Sequence, residues 1–106
     1  MPVTRISDLD ELRTVIRSND RVIVNFGAGC CKNCQIMEPI YDKLSNEYSN
    51  IVFISVPIDN DEAVVKKYKI EVIPTFKFFE HSVEAGEVTG AIVCALMKGV
   101  KMLTAV

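Results

Sequence analysis

Two short runs, Val22-Ile23-Val24-Asn25-Phe26 and Ile51-Val52-Phe53-Ile54-Ser55-Val56, are apolar at almost every position and rich in β-branched residues. A strand with one wet face alternates apolar and polar residues, so unbroken runs like these mark strands covered on both faces. Helical patterns flank them. Ser7 opens an N-cap pattern with Asp10 three residues on, and Leu9, Leu12 and Ile16 follow at helical spacing. Asp8, Asp10 and Glu11 fill the first turn, where the helix dipole favours negative charge. Asn33 to Tyr48 reads as a second helix, with Ile36, Met37, Ile40, Tyr41 and Leu44 on its apolar stripe and Pro39 expected to kink it.

Pro57 closes the second strand, and Asp59 to Tyr68 makes a short helix with Asp59 as its cap and Val64, Val65 and Tyr68 turned inward. Thr75 to Phe79 reads as a strand, His81 to Ala85 as a turn, and Gly86 to Thr89 as the antiparallel partner. A last helix runs from about Ala91 to Leu103, with Leu96, Val100 and Leu103 as its inner line. Strands alternating with helices, then a closing hairpin and helix, predict a mixed α/β sheet with helices on both faces. A chain of 106 residues is expected to form one domain over 1–106, and 49% apolar residues supply a core without metal or disulfide staples.

The net charge is −2 with both signs scattered, which argues against nucleic acid and against a polybasic membrane patch. Met1-Pro2-Val3-Thr4-Arg5 runs into structured sequence without a signal-peptide apolar region, and no run approaches membrane-spanning length. The expectation is a cytoplasmic protein. Three of the four cysteines, Cys30, Cys31 and Cys34, crowd into five residues, and Cys94 lies far away. A stapled mini-protein spreads its cysteines to close loops, so this cluster points to redox chemistry or metal binding.

Two cysteines separated by two residues at a helix start can form a disulfide across one turn. Cys31 sits near the N-cap, where unpaired N–H groups favour a thiolate, and Lys32 adds a positive charge. Cys34, one turn inside, is expected to be less exposed and less acidic. That asymmetry suits a two-step exchange in which one thiolate attacks a substrate disulfide and the second thiol resolves the mixed disulfide. Structural zinc needs a second close ligand pair, which Cys30, Cys94 and His81 do not form, so no metal and no cofactor are expected. An iron–sulfur cluster bridged between two chains stays open, since three thiolates lie together.

From Val22 to Cys34 the chain resembles the active-site strand and loop of the thioredoxin family. Pro39 falls where that family carries its helix-kinking proline, Ile73-Pro74-Thr75-Phe76 matches its cis-proline loop, and Gly86 to Ala91 matches its closing strand. The resemblance spans nearly the whole chain. It implies the thioredoxin fold, a central mixed sheet of about five strands flanked by four helices. It also implies Cys31 as nucleophile, Cys34 as resolving cysteine, a cis Pro74, and an Ile73 backbone that pairs with substrate main chain. The implied activity is reduction of protein disulfides, with a thioredoxin reductase as regenerating partner.

Several residues depart from that pattern. Cys30 stands where the family has tryptophan, leaving the substrate rim beside Cys30 and Lys32 uncovered, and Lys32-Asn33 replaces Gly-Pro, which should make the couple more oxidising. Asn25 replaces a buried aspartate behind the resolving cysteine, at the position that tunes its pKa, and Ser55 replaces a lysine that pairs with that aspartate in many bacterial members. Ser82 replaces a turn glycine and reads as tolerated surface drift. The lost tryptophan and aspartate motivate one alternative, an oxidoreductase recharged by glutathione or glutaredoxin; a further alternative is a non-catalytic thioredoxin-fold binding module, an iron–sulfur scaffold being one form of it. Cys94 is expected on the outer face of the last helix beside Lys98 and Lys101. The chain is expected to be a monomer, with Cys94 or Cys30 able to link two copies on oxidation. His81 reads as a solvated loop residue.

Overall fold

A computed structural model describes residues 3–59 and 61–104. Asn60, inside the stretch read as the third helix, lies outside the described residues, as do Met1 and Pro2. The elements run β1 (Thr4–Arg5), α1 (Leu9–Ser18), β2 (Arg21–Gly27), α2 (Lys32–Glu47), β3 (Val52–Pro57), α3 (Glu62–Tyr68), β4 (Thr75–Glu80), β5 (Val83–Thr89) and α4 (Val93–Thr104). Five strands form one mixed sheet in the order β1-β3-β2-β4-β5. The first three pair in parallel, and β4 and β5 join antiparallel.

Period-two alternation divides the core between the sheet's faces. Val22, Val24 and Phe26 of β2 pack with Leu12 and Ile16 of α1 and Val64 of α3. Ile23 faces the other way, into a cluster with Met37, Tyr41 and Leu44 of α2 and Leu96, Val100 and Leu103 of α4. All five residues from Val22 to Phe26 are buried, as a strand covered on both sides requires. The Tyr41 hydroxyl donates into this layer, 3.0 Å from the Ile23 carbonyl and 2.8 Å from that of Ile54. Arg21 fixes the end of α4 by donating to the Leu103 carbonyl at 3.0 Å.

Several boundaries differ from the sequence reading. Asp8, not Ser7, is the N-cap of α1, because the helix starts at Leu9 and the Asp8 carboxylate accepts from the Asp10 N–H. Asp61, not Asp59, caps α3 by accepting from the Val64 N–H at 3.2 Å, and Asp59 lies ahead of the helix. Ile36 leaves the inner stripe and is half exposed, since at about 100° per residue it turns away from the line of Met37, Tyr41 and Leu44. The hairpin turn is only His81-Ser82, and β5 starts at Val83. A bulge between Phe78 and Phe79 lets Phe78 pair with Gly86 and Phe79 with Glu84, so the longer turn is not needed. The short edge strand β1 has no counterpart in the sequence reading. Helix α2 runs through Pro39.

Candidate active site

The parallel strand β2 ends at Gly27, and the chain turns through residues 28–30 into α2. Cys31 is the N-cap, with extended φ/ψ, and its sulfur accepts from the Cys34 N–H at 3.2 Å. A second bond, from the Cys31 N–H to the Ala28 carbonyl at 3.2 Å, closes the loop. Gln35 braces it from the helix, its side-chain amide donating to the Gly29 carbonyl at 2.8 Å. The Cys31 sulfur therefore meets the unpaired donors of the helix start, a place that favours negative charge.

The three clustered thiols differ in access. Cys30 is exposed, Cys31 is half-buried and Cys34 is buried. Burial pushes the Cys34 thiol up to about 11, and the neighbouring Cys31 sulfur adds to that shift while the Ala28 backbone opposes it. Lys32, exposed, is the first residue of α2. Gly27 lies under Cys34: a Cβ at Gly27 would stand 3.1 Å from Cys34 Sγ and 3.9 Å from Asn25 Oδ1. This close approach, which only glycine allows without a shift, has no signal in the sequence reading.

Asn25 is buried on the same side, and Ser55 is its register partner on β3. Asn25 Oδ1 has no hydrogen-bond partner among the described residues. Beside Cys34 lies a cavity of about 210 Å³ lined by Asn25, Cys34, Ser55, Arg5 and Glu38 among others. Neither Arg5 nor Glu38 belongs to a motif in the sequence, although Glu38 stands four residues after Cys34.

The Ile73–Pro74 bond is cis. Pairing of Phe26 with Thr75 sets Pro74 beside the end of β2, where the cysteine loop begins. The Pro74 carbonyl accepts from the Gly90 N–H at 2.8 Å, and the Thr75 hydroxyl bonds the Val72 carbonyl. The fold thus brings Asn25, Cys30, Cys31, Lys32, Cys34, Ile73 and Pro74 to one end of the sheet. Cys94 lies elsewhere, exposed on α4 in a groove with Met97, Lys98 and Lys101. His81 is exposed in the hairpin, with Nδ1 3.6 Å from the Asp20 carboxylate. Among the described residues no three His, Cys, Asp or Glu side chains gather as a metal-ligand set, and no helix is long and apolar enough to cross a membrane.

The family model for thioredoxin matches residues 4–102. Thioredoxin-3, mitochondrial, of Saccharomyces cerevisiae is 31% identical over 101 residues, covering 95% of this chain and 80% of that protein. Its crystal structure, in the oxidised form, superposes with a TM-score of 0.90 over 95% of both chains at 31% identity. A peptide-N(4)-(N-acetyl-beta-glucosaminyl)asparagine amidase of Caenorhabditis briggsae is 33% identical over 95% of this chain, which spans only 17% of that protein's length.

Proposed function

The chain belongs to the thioredoxin family of thiol–disulfide oxidoreductases, and we propose that it reduces protein disulfides through a Cys31/Cys34 dithiol–disulfide cycle. The observation that carries this reading is the asymmetry of the two sulfurs: one half-buried at the N-cap, the other buried with its thiol pushed up to about 11. The Cys31 thiolate attacks one sulfur of a substrate disulfide and expels the other as a thiolate. Cys34 then attacks Cys31 Sγ, forms the Cys31–Cys34 bond and releases the second substrate sulfur. The substrate gains the two electrons that the dithiol loses. The Ile73 backbone, ahead of β4, holds extended substrate main chain as an added strand beside Pro74, and Cys30 and Lys32 border the rim.

Cys31→Ser should abolish reduction of a protein disulfide, whereas Cys34→Ser should accumulate a mixed disulfide detectable by mass spectrometry. Normal turnover by Cys34→Ser would overturn the assignment. An NADPH-dependent thioredoxin reductase is the proposed reductant, acting on a monomer in the cytoplasm, a reducing compartment that suits three crowded thiols. The exposed Cys30, in place of a covering tryptophan, favours glutathione or glutaredoxin as the second choice. Cys30→Trp should improve turnover with the reductase. No gain, with the fold intact, assigns partner choice to other residues.

A further inference from the structure

The cavity beside Cys34 joins four elements: Cys34 and Glu38 line it from α2, Asn25 from β2, Ser55 from β3 and Arg5 from β1. At about 210 Å³ it has room for several waters. Asn25 is 8% exposed, with its Oδ1 fully enclosed and unpartnered among the described residues. In a polar, roomy site a buried acceptor of this kind is met by water. The residue most in need of such a water is Cys34, whose buried thiol must lose a proton before it attacks. Asparagine cannot take that proton.

Two carboxylates line the cavity, Glu38 and Asp42. Residues four apart on a helix stack on one face about 6 Å apart, so Glu38 stands one turn from Cys34 and Asp42 two turns away. Tyr41 also lines it, but its hydroxyl is engaged by two backbone carbonyls. Arg5 is the cation on this wall, and an arginine accepts no proton.

We propose that Glu38 accepts the Cys34 proton during the resolving step, through water held on Asn25 Oδ1. This rests on the assignment of Cys34 as resolving cysteine. The Cys34 S–H proton passes to the water while a proton of that water passes to the Glu38 carboxylate. The Cys34 electron pair forms the new bond to Cys31 Sγ, and the bond from Cys31 to the substrate sulfur breaks with its pair leaving on that sulfur. Glu38 then returns its proton to solvent at the open side of the cavity, where it is exposed.

The test loads 5-thio-2-nitrobenzoate as a mixed disulfide onto Cys31 of the full chain carrying Cys30→Ser and Cys94→Ser, and follows its release from mildly acid to alkaline pH. Glu38→Gln should slow release about tenfold at neutral pH, less than the roughly 10²–10⁴ of a directly placed base because water intervenes. The gap should close at alkaline pH, where hydroxide takes the proton. Glu38→Asp should keep part of the rate, and Asp42→Asn all of it. An unchanged pH profile in Glu38→Gln, an equal slowing at every pH, or a loss in Asp42→Asn instead would each overturn the role of Glu38. No release from the parent protein at any pH would overturn the assignment of Cys34 itself.

Discussion

Gly99 in α4 lies so close to Phe78 in β4 that a Cβ on the glycine would stand 2.5 Å from Phe78 Cζ. Helix α4 therefore rests with its backbone on the ring. Two effects oppose each other in Gly99→Ala. Alanine gains about 1 kcal/mol of helix propensity over glycine. Forcing a methyl against a ring that is 4% exposed costs about 1–3 kcal/mol of overpacking. The contact is too short for a small adjustment, so packing should win and Gly99→Ala should lose up to about 2 kcal/mol in urea unfolding. The loss should shrink in a Phe78→Leu background. A more stable Gly99→Ala protein would show that the ring moves aside freely.

Lys77 is buried on the sheet, with Nζ 2.8 Å from Glu87 and 3.0 Å from Glu84. Burial pulls its ammonium pKa down, but the bonds to Glu87 and Glu84 and their charges outweigh it, and the net shift is upward from 10.5. A raised folded pKa means this stabilisation is fully present below the unfolded value and is lost as pH rises through the folded one. Thermal melts should therefore fall above about pH 10.5 more steeply in the parent than in Lys77→Met. At neutral pH Lys77→Met should stay within about 1 kcal/mol of the parent, because the apolar chain escapes desolvation. Glu84→Gln with Glu87→Gln strands the charge and should cost about 1–3 kcal/mol, less than for a fully buried pair because both glutamates are half exposed. A large loss in Lys77→Met would show that the triad is a net stabiliser.

Both turn residues of the β4–β5 hairpin have positive φ, 51° at His81 and 72° at Ser82. Two-residue hairpins favour this geometry, and glycine adopts it without the Cβ strain. The serine is therefore a strained choice rather than neutral surface drift. Ser82→Gly should raise stability by about 0.5–1 kcal/mol, since relief of left-handed strain exceeds the extra unfolded-state entropy of glycine. A lower melting temperature for Ser82→Gly would contradict this.

Legibility followed the range of the forces involved. The β2 and β3 runs and the Leu96-Val100-Leu103 line were readable because burial repeats over several residues and leaves a period. Strand β1, two residues long, has no period to read, and it exists because Thr4 and Arg5 find Ile54 and Ser55. Caps failed where two acids compete within a turn, as at Asp59 and Asp61, because the winner depends on where the helix begins. At the site, the cysteine pair and the proline loop showed through residue type and resemblance. The Gly27 approach to Cys34 and the Glu38 wall did not, because they depend on how β2 and α2 meet in space.

Asn25 and Cys34 share one buried corner behind the cysteine loop. An aspartate there would stand beside the Cys34 thiol, since a Cβ on Gly27 would lie 3.1 Å from Cys34 Sγ and 3.9 Å from Asn25 Oδ1. Asn25→Asp should speed the resolving step at neutral pH and leave attack by Cys31 nearly unchanged. It should also cost stability. Ser55, its register partner, offers no positive charge, and Arg5 is exposed on the edge strand. An enclosed carboxylate whose cation on the cavity wall is screened by water should lose about 1–3 kcal/mol at neutral pH. Its folded pKa would lie above its unfolded value, so the new group is least harmful at acid pH. The penalty then grows as pH rises from the unfolded pKa toward the folded one. Stopped-flow kinetics of mixed-disulfide resolution and melts at several pH values check both halves. A faster resolving step with a pH-independent melting temperature would place the carboxylate in water rather than in the corner. An unchanged rate would mean that the existing proton path already keeps pace with the sulfur chemistry.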